Sequence, residues 1–183
     1  MSAGNIIVKL VILLVLILVN AFFAMSELAI ISLNDNKIDK MAEDGNKKAK
    51  KIVKLTENSS KFLSTIQIGV TLAGFLTSAS ASTTFASMIT DALRGTVVYN
   101  ALGEGLINGI AVVIVTIIMS YFSLVLGELV PKKIAMQVPE KISFKIVDIL
   151  LLFSKLFAPL VKILSVSTNA VVRLLGFNPH ADE

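Results

Sequence analysis

The 183-residue chain is 55% hydrophobic with a mean hydropathy of +0.81, a balance that excludes an ordinary soluble domain and marks an integral membrane protein. It has no cysteine and a single histidine, His180, in a polar tail; disulfides, thiolate centres and imidazole sites are excluded, and any metal site must be built from oxygen. The net charge of +4 does not indicate nucleic acid, because the lysines flank apolar segments without interleaved stacking aromatics, and a lipid bilayer accounts for them better.

The first apolar run, residues 10–33, is long enough at about 1.5 Å per residue to cross a hydrocarbon core of about 30 Å. Its stretch "LVILLVLILVN" has no polar face, and no basic n-region precedes it, so it reads as a retained span rather than a signal peptide. Residues 34–61 are polar and lysine-rich, with apolar positions at Ile38, Met41, Ile52, Val53 and Leu55. That spacing predicts two short amphipathic helices at the membrane surface, broken near Gly45.

Residues 62–90 are long enough to span, yet rich in Ser, Thr, Gly and Ala, a composition that lets helix backbones approach closely and faces protein rather than lipid. A short loop containing Asp91 and Arg94 leads to a third span, about 106–138, interrupted near its end by Gly127 and Pro131. Residues 139–176 alternate apolar runs with Lys145, Asp148, Lys155, Lys162 and Pro159. A fourth span would bury those charges at about 2.5–3.5 kcal/mol each, so interfacial helices along the inner leaflet are expected instead. Residues 177–183 read as the start of a C-terminal linker. The expected architecture is an all-α membrane domain over 1–176, with three transmembrane helices plus juxtamembrane amphipathic helices.

Charge orients it. Of 17 Lys and Arg, eight lie in the 34–61 loop and seven follow the third span, leaving Lys9 and Arg94. The positive-inside rule puts the N-terminus outside and the first loop and C-terminus in the cytoplasm.

Eleven of the 13 acidic residues lie outside the spans; the other two, Glu27 and Glu128, fall in the inner part of a span. A carboxylate at that depth marks an ion path, a proton relay or a buried partner. At 100° per residue Asn20 and Glu27 share a face of the first helix, and Gln67, Thr71, Gly74 and Ser78 share a face of the second. Pro131 has no N–H, so the Gly127 carbonyl, four residues earlier, loses its α-helical donor beside Glu128. Carboxylate, released carbonyl and nearby amide and hydroxyl oxygens suit a hard cation such as Mg²⁺ or Na⁺. Lys132 and Lys133 read as orientation signals. With no histidine, cysteine or general base beside the intramembrane serines, an enzyme is disfavoured. The alternative is a membrane anchor or dimerisation module without transport activity, in which the polar residues only join helices.

The motifs "NAFFAMSELAIISL", "TIQIGVTLAGF" and "GELVPKKIA", in that order and with a basic loop between the first two, resemble the transmembrane domain of the CorC/CNNM magnesium transporter family. The resemblance implies a homodimer in the plasma (inner) membrane, three spans per subunit, and a Mg²⁺ site between the helices. It also implies Mg²⁺ export coupled to Na⁺ entry. By motif, the implied site residues are Glu128 and Gly127, Asn20 and Glu27, and Gly69 and Gly74, with Ser26 and Thr71 as second choices and Pro131 as the helix breaker. The ATP-binding regulatory domains usual in the family are not in this sequence, so nucleotide regulation is not carried over.

Overall fold

The computed structural model describes residues 3–178; His180 and most of the expected linker lie outside them. The described residues form helices and no strand: α1 Ala3–Ile31, α2 Asp35–Glu43, α3 Lys47–Thr56, α4 Ser59–Leu93, α5 Val97–Leu124, a π-helical turn Val125–Leu129, α6 Val130–Gln137, α7 Pro139–Leu156 and α8 Ala158–Leu174. Three stretches are long and apolar enough to cross a membrane, Gly4–Ile31, Ser59–Leu93 and Val97–Gln137, and the chain is an all-α membrane protein.

Local sequence sets the helix starts. Asn34, Asn46 and Asn58 each turn a side-chain oxygen onto the first amides of α2, α3 and α4, and Thr96 does the same for α5, satisfying donors that have no intrahelical partner. Gly45, at φ +94°, takes the left-handed conformation that separates α2 from α3. Pro159 in the first turn of α8 is tolerated there and not in a helix interior; α7 and α8 meet at 62° around Phe157.

The third apolar rod is preceded by a short helical stretch from Val97 that kinks at Gly103, where φ is +78° and ψ 158°, so its continuous part starts close to the expected 106. It runs on through Gly127 and Pro131. The expected interruption is a change of hydrogen-bond register, not a break.

Two apolar cores hold the helices. The larger joins Phe23, Ala29 and Ile30 of α1 with Ile38, Ala49, Ile52, Leu55, Phe62, Ile66, Ala135, Ile146, Val147 and Leu150, so α2, α3 and α7 pack on the same end of the spans. Lys37 pairs with Glu140, Lys51 with Asp148 at 2.6 Å, and the Lys48 ammonium reaches the Phe144 carbonyl. The Lys51 hydrogen bond holds the Asp148 carboxyl below its ordinary value. These pairs are solvent-exposed and worth little; the shared apolar face holds the belt together. The smaller core joins Leu13, Ala81 and Val115 of the three spans, and Ser82 and Thr116 bond across α4 and α5 at 2.9 Å.

Gly69 marks a close approach of α4 to α1. A Cβ there would lie 2.6 Å from the ring of Phe23, which is 2% exposed and packs edge-on against Phe22 and Phe153. Gly69→Ala is expected to destabilise the domain by about 1–3 kcal/mol, the usual cost of overpacking a filled core. Thermal unfolding in detergent checks this, and an unchanged melting temperature would contradict the packing role.

Candidate cation site

Between the two apolar cores lies a cavity of about 440 Å³ lined by Asn20 of α1, Thr71, Gly74 and Ser78 of α4, Ser120 and Ser123 of α5, and Glu128 of the π turn. The four-three-four spacing read from the second span therefore delivers Thr71, Gly74 and Ser78 to one wall. Gln67 stays one turn away, donating from Nε2 to the Thr71 hydroxyl at 3.3 Å. Apolar side chains Val70, Phe75 and Leu124 complete the lining.

Asn20 is the focal residue. It is 4% exposed, and its side-chain oxygen is buried with no hydrogen-bond partner. A buried acceptor without a donor costs about 1–3 kcal/mol, and such an orphan calls for an explanation such as an ion or water. Gly127 lets the amide lie where it does. A Cβ on Gly127 would stand 2.8 Å from Asn20 Nδ2, so any larger residue would push the amide off the π turn.

The π turn is the backbone answer to Pro131. The Val130 N–H bonds back to Val125, five residues earlier, so the Leu126 carbonyl loses its α-helical donor to the shifted register and the Gly127 carbonyl loses its own because Pro131 has none. The sequence reading anticipated one diverted carbonyl; the fold diverts two. Pro131 itself then falls in the first turn of α6, where a missing N–H is tolerated. In a uniform α-helix Glu128 would stand about 80° round from Ser120. A π turn spends an extra residue, which brings the carboxylate back toward the Ser120 stripe.

Four expected site residues do not line the cavity: Gly127, which packs under Asn20, and Ser26, Gly69 and Glu27. Ser26 is fully buried, and its hydroxyl donates to the Phe22 carbonyl at 2.6 Å within its own helix. Gly69 faces Phe23. Glu27 does not line the cavity; it joins Glu128 through a third residue. The Lys132 ammonium sits 3.2 Å from Glu27 and 3.0 Å from Glu128, so the two intramembrane acids share one counter-charge. Lys132, read from the sequence as an orientation signal, also bridges the two acids. The Glu128-to-Lys132 spacing of four residues was the available clue, since such pairs meet on a helix surface. Ser120 and Ser123 were missed as well; they repeat at helical spacing with Gly127 and would have been found by the test applied to the second span.

Among the described residues no three of His, Asp, Glu or Cys gather closely enough to hold a metal. The cavity presents one carboxylate and several neutral oxygens, a donor set that would suit a hard ion.

The comparisons agree with this architecture. The cyclin M transmembrane N-terminal domain family, CNNM, matches residues 11–183. The UPF0053 protein sll0260 of Synechocystis sp. is 38% identical over 176 residues, covering 96% of this chain and 38% of that protein. A UPF0053 protein of Haemophilus influenzae is 31% identical over 91% of this chain and 35% of its own length. The UPF0053 inner membrane protein YfjD of Escherichia coli is 30% identical over 86% of this chain and 33% of its own. The chain thus spans under two fifths of the length of these relatives. With the family matched from the first span onward, the chain belongs to the cyclin M transmembrane domain family.

Proposed function

We propose that this domain carries Mg²⁺ across the membrane as cargo, exporting it with Na⁺ entry as the driving force. The observation that supports this most is the buried, unpartnered oxygen of Asn20 in a cavity that also presents Glu128. One carboxylate with hydroxyl, amide and carbonyl oxygens suits Mg²⁺, which keeps several waters and needs few charged protein ligands. A cavity of about 440 Å³ leaves room for such a partly hydrated ion, at about 30 Å³ per water. The lysine distribution orients the domain with its N-terminus outside and its α2–α3 belt in the cytoplasm. A homodimer in the inner membrane completes the reading.

The anchor or dimerisation reading draws on hydroxyls that are already satisfied. Those of Thr65, Thr77, Thr84 and Thr90 donate to carbonyls four residues back in α4, as structural hydroxyls do. That account does not extend to Asn20, whose oxygen is buried and unpaired.

A Mg²⁺ titration of the purified chain followed by thermal melting, paired with Mg²⁺ flux in proteoliposomes, tests the proposal. A cation that binds only the folded state adds about 2.7 kcal/mol at a hundred times its Kd, so the melting temperature should climb steadily with Mg²⁺. Mn²⁺ should compete better than Cd²⁺ at an all-oxygen site. A melting temperature indifferent to Mg²⁺, together with no flux, would leave the anchor reading standing.

A further inference from the structure

We propose that Lys132 is a tethered cation that competes with the cargo for Glu128, so that metal entry releases the link between α1 and α6. The inference rests on the Mg²⁺ reading above and adds a residue to it. Glu27 comes from α1, Glu128 from the π turn and Lys132 from α6, and the ammonium lies within 3.2 Å of both carboxylates. An ammonium has three protons to donate and serves two acceptors at once. Each of the three side chains is about 30% exposed, so the ammonium is held by charge and not sealed in by packing.

Charge arithmetic at membrane depth drives the exchange. Two carboxylates and one ammonium leave a net charge of minus one. Adding Mg²⁺ with Lys132 in place makes the group plus one, whereas Mg²⁺ with Lys132 withdrawn makes it neutral. A neutral cluster is favoured where water is scarce, so Mg²⁺ and Lys132 oppose each other. Lys132 has somewhere to go. Its four-carbon stem can carry the ammonium toward the polar end of α6, beside Lys133 and Gln137, as lysines near helix ends do. Withdrawal removes the ionic tie from Glu27 to α6, which gives the metal a mechanical lever on α1. Lysine suits the task better than arginine, because a flexible point charge leaves a carboxylate more easily than a bidentate guanidinium.

The test compares the native chain with Lys132→Met and Lys132→Arg, reading the Mg²⁺ concentration that gives half-maximal thermal stabilisation. Lys132→Met should lower that concentration about tenfold, since removing the competitor leaves the Glu128 carboxylate to the metal. Lys132→Arg should leave it within about twofold or raise it. Should Lys132→Met fail to fold, Lys132→Met with Glu27→Gln keeps the net charge at minus one and should shift the midpoint in the same direction. An unchanged midpoint in Lys132→Met beside a responsive native chain overturns the role of Lys132 and leaves Mg²⁺ binding intact. Arginine behaving like methionine overturns competition by charge. Indifference to Mg²⁺ in the native chain and every variant overturns the cargo and the competition together. A response confined to Lys132→Met supports the competition and rejects Mg²⁺ as the native cargo.

Discussion

Glu128→Gln is expected to cut proteoliposome Mg²⁺ flux at least about tenfold and to remove Mg²⁺-dependent thermal stabilisation, with the chain still folded. Glutamine keeps the side-chain length and one carbonyl oxygen but discards the only negative charge that lines the cavity among the described residues. For a divalent ion meeting otherwise neutral oxygens, that charge is the dominant attraction. Stability without metal should change by less than about 1 kcal/mol, because the Glu128–Lys132 pair is partly exposed and such pairs contribute little. Lys132 also retains Glu27 at 3.2 Å, so no isolated charge is left behind. An anchor that uses Glu128 only for packing predicts that the glutamine variant keeps whatever Mg²⁺ response the native chain has. Melting with and without Mg²⁺, and flux from the same preparation, separate the two.

The elements that were legible in the sequence are those governed by length, hydropathy and capping. The three spans follow from length and the absence of charge through most of each stretch, and the α2–α3 break follows from Gly45 between two lysine-rich amphipathic stretches. The polar wall of α4 was legible because Thr71, Gly74 and Ser78 fall on one helical stripe. What periodicity could not supply is the response of a backbone to proline. A missing N–H at Pro131 is compatible with a kink, a break or a π turn, and the choice depends on how α1 packs against that segment. Here the backbone takes a π turn, with Gly127 packed under Asn20. Helical angle accounts for two of the motif residues that lie off the cavity, though not for Glu27, which falls on the Asn20 face by angle and still does not line it. Ser26 lies six positions from Asn20 and Gly69 five from Gly74, offsets of about 240° and 140° round the helix, so neither could share its partner's face. The link from Lys132 to Glu27 was beyond sequence pattern altogether, since it joins two helices more than a hundred residues apart.

Asn20→Leu should separate stability from function in opposite directions. Leucine closely matches asparagine in length and branching, so it keeps the contact over Gly127 while deleting the buried oxygen that has no donor. Removing an unsatisfied buried acceptor relieves up to about 1–3 kcal/mol, so the variant should melt at or above the native temperature without Mg²⁺. The same change takes one oxygen from the cavity and places a methyl group where an ion must shed or share its waters. The Mg²⁺ response and flux should therefore fall at least about tenfold, despite a fold that is no weaker. An asparagine kept for helix packing predicts the reverse pattern, a destabilised leucine variant that still responds to Mg²⁺, because polar contacts between membrane helices are worth about 0.6 kcal/mol on average and their loss is felt in stability first. Melting in the absence of Mg²⁺ comes first, since a leucine variant less stable than the native chain would show that the Asn20 oxygen has a protein partner after all and would remove the central support for a cation at this site.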